Sequence, residues 1–224
     1  MCYPVHPLTR LNLGVALWWA GEPSAARVMF EVFHTPKKPS DTQPEPAEGK
    51  EVLVDELLRI HAYAGLGITL FATSQHARAL GILEAVANSA FADAYFFLAF
   101  GFIRLAMKKP RDAGHSFAKA CNLEKFNMEI RFLIGGIYLL FSSANKAISF
   151  YDVVIKERDR TFGAPALLNR AVGHAQLNLI PTALKDIQLV QRLYPEFSKR
   201  YRMQVDSLDF QLRVKARKQR AEET

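Results

Sequence analysis

Apolar positions along this chain recur at helical spacing, and the recurrence itself repeats. In the stretch 94–127, Phe97, Phe100, Gly101 and Arg104 follow the three- and four-residue steps of one helix face. Ala113, Phe117 and Ala120 resume that face after a polar break at Lys108, Lys109 and Pro110. Two antiparallel helices joined by a short turn satisfy this pattern. Gly14, Gly67, Gly101, Gly135 and Ala171 each stand twelve positions before an alanine: Ala26, Ala79, Ala113, Ala147 and Ala183. From the second pair to the third, and from the third to the fourth, the step is 34 residues; the last step is 36 and the first 53. A near-constant period in this range marks stacked supersecondary units, an α-solenoid.

Five units follow: about 7–40, 60–93, 94–127, 128–161 and 164–197. The small residues carry the physics. Without large side chains at Gly101 and Ala113 two backbones approach closely, and Phe117 fills the adjoining gap. Pro110 falls at the turn into a second helix, where its missing N–H costs nothing. Pro23 and Pro181 stand at the equivalent turns of the first and fifth units. No alternating β-branched runs or Asn-Gly hairpins occur, so the expected fold is all-α.

The arrangement resembles the tetratricopeptide repeat, a helix–turn–helix of 34 residues with a small residue at position 8, an aromatic at 11, alanine at 20, an aromatic at 24, alanine at 27 and proline at 32. The resemblance covers about 190 of the 224 residues. It departs in lacking tryptophan at position 4, in keeping the proline at 32 only as Pro195, and in Arg104 where position 11 calls for an aromatic. The resemblance implies a right-handed superhelix of antiparallel helix pairs that binds protein partners and is not an enzyme.

By the same resemblance, positions 5, 9 and 12 of the first helices line a concave face. They are Leu11, Val15 and Trp18; Ala64, Ile68 and Phe71; Leu98, Phe102 and Leu105; Phe132, Gly136 and Leu139; Leu168, Val172 and Ala175. Trp19 and Leu140 are near neighbours. This wall is almost wholly apolar and suits an amphipathic or apolar helix with anchors at i, i+3, i+4 and i+7. The alternative is that these residues are interhelical core and the outer face is rotated from this register. A clamp for chaperone tails, built from lysine, arginine and asparagine, is matched only at Asn12 and Asn169, so that partner class is disfavoured.

Two stretches lie outside the repeat. His34–Gly49 holds four prolines and no large apolar residue, and is read as a flexible loop over about 35–50. The run Val52, Leu53, Leu57, Leu58 and Ile60 then extends the next helix backwards. After Pro195 a final helix is expected over about 198–219, within a C-terminal segment 198–224. Tyr201, Val205, Leu208 and Leu212 would cap the exposed end of the array. Its other faces are basic: over 199–223 eight cations oppose four carboxylates, +4 of the formal +7 of the chain. Arg213, Lys215, Arg217, Lys218 and Arg220 form the densest patch. They are either solvated cations complementing the helix dipole or a docking site for an acidic protein or nucleic acid.

Half of the residues are hydrophobic, enough for a continuous core. The apolar runs 94–103 and 132–141 fall well short of the ~20 residues a membrane span needs. Cys2 and Cys121 form neither a metal-ligand pattern nor a disulfide framework. No leader is recognised at the N-terminus, and a cytoplasmic location is expected, with an organelle or cytoskeleton-associated assembly as the alternative. The six histidines show no metal-binding spacing. Gly65-Leu66-Gly67 and Gly135-Gly136 sit inside helices rather than after strands, so neither is a nucleotide loop. No cofactor, metal or catalytic set is expected. The expected function is an adaptor, scaffold or subunit of a larger complex, with a ribonucleoprotein component or a dedicated chaperone as alternatives.

Overall fold

A computed structural model describes residues 22–31 and 50–222. Leu11, Val15, Trp18 and Trp19, and the 35–50 loop apart from Lys50, lie outside the described residues. The described residues form eleven α-helices and no strands: α1 (Pro23–Glu31), α2 (Lys50–Ala72), α3 (His76–Val86), α4 (Ala94–Ala106), α5 (Pro110–Leu123), α6 (Met128–Leu140), α7 (Ala144–Lys156), α8 (Gly163–Gln176), α9 (Ile180–Leu193), α10 (Pro195–Arg200) and α11 (Arg202–Glu222). None of these helices is long and apolar enough to cross a membrane. The chain divides into two compact units, Met1–Leu123 and Glu124–Thr224. In the first, α1 packs on α2, and the hairpins α2–α3 and α4–α5 pack together. In the second, the hairpins are α6–α7 and α8–α9, followed by α10 and α11. The backward extension of the second repeat is present, since α2 begins at Lys50 and runs for 23 residues.

One turn recurs in four hairpins. Ser74, Lys108, Ser142 and Asn178 have φ of 62°, 59°, 53° and 63°, the left-handed region. Each N–H donates to the carbonyl three residues back, and the next N–H to the carbonyl five back, as in Lys108 to Leu105 and Lys109 to Arg104. This is the Schellman arrangement that satisfies the last carbonyls of a helix. It stops the first helix of each pair and aims the second back along it. The starts of two first helices are also marked: Asp93 accepts from the Phe96 N–H at 2.7 Å, and Asn127 from the Glu129 N–H at 3.0 Å. Such caps satisfy donors that the helix leaves open.

Inside each hairpin the small residue of the first helix receives a large one from the second. A Cβ built on Gly67 would lie 2.8 Å from Leu83, on Gly101 2.4 Å from Phe117, and on Gly135 2.6 Å from Tyr151. The recurring alanines Ala26, Ala79, Ala113, Ala147 and Ala183 have no exposed surface. In the fifth unit the pair is Ala171 and Ile187, where a slimmer aliphatic replaces the ring and both are fully buried. The core is thus a repeated close approach of two backbones around one bulky side chain.

The C-terminal segment differs from a single helix over 198–219. It is two helices, α10 and α11, meeting at Tyr201, whose φ and ψ of −109° and 33° leave the helical range. Val205 and Leu212 are buried in one cluster with Leu167, Ala171, Ile180, Ala183, Ile187 and Val190, and Leu208 packs against it. Tyr201 does not join that face. It is 37% exposed, and its ring rests on Phe197 at 4.5 Å. No glycine or proline marks the break, which is why helical periodicity ran straight through it.

Candidate partner-binding site

The first helices carry the residues expected to meet a partner, and their burial differs along the chain. In the first unit, Leu98 and Leu105 of α4 are buried, at 6% and 8% exposure. Ile68 and Phe71 of α2 and Phe102 of α4 are half-buried. Phe71 stacks on His76 with centroids 4.6 Å apart and meets the edge of Phe102 at 5.7 Å. Phe96, Phe97, Phe100 and Ile103 are buried as well. Apolar surface here is consumed mainly by packing within the unit.

In the second unit Phe132, Leu139, Leu168 and Val172 are all half-buried. Phe132 lies against Tyr151 at 5.9 Å and Phe162 at 5.3 Å. Leu139 faces Gly173, where an added Cβ would stand 3.4 Å from it. Leu168 packs on the cluster that α11 seals. What α6 leaves outward is a neighbouring stripe: Leu133 is 37% exposed and Leu140 77%, with Gly136 and Ile137 half-buried between them. These follow i, i+3, i+4 and i+7. The outward stripe is therefore turned by about one residue from 132–136–139. Sequence periodicity could not separate the two registers, because nearly every position from Phe132 to Phe141 is apolar and offers no polar contrast.

Two polar clusters replace the aromatic at repeat position 11. Arg104 donates to Ser116 Oγ at 2.9 Å, twelve residues on, and lays its guanidinium 3.6 Å over the Phe100 ring. His174 has its Nδ1 3.0 Å from Asp186 Oδ2, again twelve residues on. The same offset joins Tyr138 and Phe150 as stacked rings at 5.8 Å. Asp186 has a side chain only 3% exposed and also receives Arg170 through a 2.6 Å contact. Arg170 reaches Asp152 at 2.6 Å as well. Burial opposes the charge of Arg170, but hydrogen bonds and attraction from Asp186 and Asp152 outweigh it and raise its pKa. These groups are engaged with one another. They tie second helix to first. Tyr151 is fully buried; burial pushes its phenol up to about 12, and the neighbouring Asn169 holds that rise back in part although it lies outside good hydrogen-bond geometry. Among the described residues no group of three or more metal-ligating side chains converges.

In the basic patch, Arg213 pairs with Asp209 at 2.6 Å and Lys215 donates to the Ala175 carbonyl at 3.0 Å. Arg217, Lys218 and Arg220 lie further along the same helix, Arg217 and Lys218 among its outward side chains.

No family model and no curated protein matches the sequence. Solved structures do. The chain superposes on TTC0263, a thermophilic tetratricopeptide-repeat protein of Thermus thermophilus, with a TM-score of 0.58 and 14% identity over 91% of this chain and 98% of that one. A tetratricopeptide repeat protein of Parabacteroides merdae also gives 0.58, at 9% identity, over 94% of this chain and 73% of that one. A chain of the Cut9–Hcn1 hetero-tetramer of the APC/C gives 0.53 at 13% identity, covering 85% of this chain and 34% of the other. With the recurring small–large pairs, the repeated left-handed turn and these superpositions together, the chain has the tetratricopeptide-repeat fold.

Proposed function

We propose that this protein is a non-enzymatic adaptor, or a subunit of a larger cytoplasmic assembly, that holds a helical or apolar segment of a protein partner against its first helices. The observation that carries the reading is the outward stripe Leu133, Gly136, Ile137 and Leu140 on α6, ending in a leucine that is 77% exposed. Apolar side chains at i, i+3, i+4 and i+7 are the complement of an amphipathic helix. Phe132 and Leu139 flank the stripe along α6, and Leu168 and Val172 of α8 keep part of their surface. In the first unit Ile68, Phe71 and Phe102 retain part of their surface and form a smaller apolar face, with Leu98 and Leu105 as its foundation. The Cut9–Hcn1 assembly is an instance of this fold within a hetero-complex.

The test is affinity purification of the tagged full-length chain from its own cells, beside the double variant Leu133→Asp/Leu140→Asp. Both positions are exposed, so the variant keeps its helix content and melting temperature. Proteins recovered with the wild type should fall by about tenfold or more, as expected when central apolar anchors are charged. An unaltered set of bound proteins would remove α6 as the binding surface.

A further inference from the structure

Helix α11 has two apolar faces, and the fold uses only one. The inner face, Val205, Leu208 and Leu212, closes the core of the second unit. On the other side Met203 is 84% exposed and Phe210 68%, with Val214 half-buried. Met203, Ser207, Phe210, Val214 and Arg217 are separated by steps of four, three, four and three residues. That is the a/d register of a coiled-coil seam. A shallow depression of about 300 Å³ lies on this face, lined by Phe210, Gln211, Val214, Lys215 and Lys218. Ser207, Phe210, Gln211 and Val214 stand at i, i+3, i+4 and i+7, the four corners of a hole that this seam offers to one knob from a facing helix.

Charge identifies the occupant. The two carboxylates nearest the seam are already matched, Asp206 to Arg202 at 3.3 Å and Asp209 to Arg213 at 2.6 Å. From Phe210 to Ala221 the helix carries Arg213, Lys215, Arg217, Lys218 and Arg220 and no carboxylate. We infer that the outer face of α11 docks one helix of a partner protein, apolar along its own seam and lined with glutamate or aspartate opposite Arg217 and Lys218. A second copy of this chain would bring cations against cations, which works against self-pairing. The seam is too narrow for the broad apolar face with which interfacial helices enter a bilayer. Nucleic acid would leave Met203 and Phe210 without use, since no series of aromatic side chains lies beside the cations for bases to stack on. This surface is separate from the stripe on α6, and the inference does not depend on that reading.

The probe is a synthetic helix of about 21 residues, three heptads, with leucine at a and d and glutamate at e and g. Its control carries lysine at e and g. Binding to the full-length chain is followed by fluorescence anisotropy, with circular dichroism checking each variant. The glutamate helix should bind at least about tenfold tighter than the lysine helix, and Phe210→Glu or Arg217→Glu/Lys218→Glu should each weaken it by about tenfold. Leu133→Asp/Leu140→Asp should leave it unchanged, which separates failure here from failure at α6. Equal affinity for the two helices, or indifference to Phe210→Glu, overturns the proposal. So does displacement of the probe by a uridine homopolymer or by phosphatidylserine vesicles with the two probe helices no longer distinguished, which assigns the face to nucleic acid or membrane. Sedimentation showing a dimer that Phe210→Glu dissolves assigns it instead to a second copy.

Discussion

Helices α4 and α6 occupy the same place in successive repeats, have 13 residues each and are both strongly apolar, yet they meet different surroundings. Nine residues of α4 are buried, on nearly every side; only four of α6 are, along one face. Helix α4 packs against α2, α3 and α5, whereas α6 opens the second unit and packs on α7 and more lightly on α8. Equal hydropathy therefore serves as core in one helix and as surface in the other. The lesson is physical: apolarity sets how much stabilisation burial can supply, and the number of neighbouring helices sets how much of it is realised.

The largest test of this contrast is a pair of truncations. Phe100→Ala in α4 removes a ring that is 1% exposed and that supports the Arg104 guanidinium, and should cost about 3–5 kcal/mol. Leu140→Ala in α6 should change stability by less than about 0.5 kcal/mol, as for an exposed position. Urea unfolding followed by circular dichroism measures both. Comparable losses would mean that α6 is as enclosed as α4.

The next effect comes from the ring that fills the gap at Gly135 of α6. Tyr151 has its folded-state pKa raised to about 12 by burial. The neutral phenol is thus favoured by the fold, and its contribution is fully present below pH 10. As pH rises from 10 toward 12 the unfolded chain ionises first, so stability falls, by about 2 kcal/mol for a shift of this size. Tyr151→Phe should remove that part of the alkaline loss, read as the difference between the two proteins' unfolding curves at pH 9 and pH 12. Parallel pH profiles would show that the hydroxyl is solvated.

The smallest effect should be the same in both regions, because the turn after α4 and the turn after α6 are the same turn. Lys108→Gly and Ser142→Gly relieve side chains held at φ of 59° and 53° and should each stabilise the chain by about 0.5–1 kcal/mol. A gain at one and a loss at the other would show that a side chain, and not the backbone, dominates one of the turns.

Much of the architecture is legible in the sequence. The twelve-residue step from a small residue to an alanine places the two contact points of a hairpin, because close approach of helices tolerates only small side chains there, and Gly67, Gly101 and Gly135 meet Leu83, Phe117 and Tyr151 accordingly. The capping role of Val205, Leu208 and Leu212 was readable from spacing for the same reason. The candidate site was less legible. Within Phe132–Phe141 the residues are almost uniformly apolar, so periodicity carried no phase; there Leu133 and Leu140 are exposed while Phe132 and Leu139 are half-buried. Likewise the second face of α11 was hidden among its charges, since Met203, Phe210 and Val214 form a seam only once Val205 and Leu212 are seen to be buried.

Local chemistry, then, was settled by the order of residues: which pairs approach, and that the hairpins repeat. These depend on contacts between positions a fixed few residues apart, and such contacts are written directly into spacing. Which apolar faces stay open was decided only by the packed structure. A side chain's exposure depends on how many helices from elsewhere in the chain crowd around it, and for α4 and α6, alike in sequence character, that crowding differs.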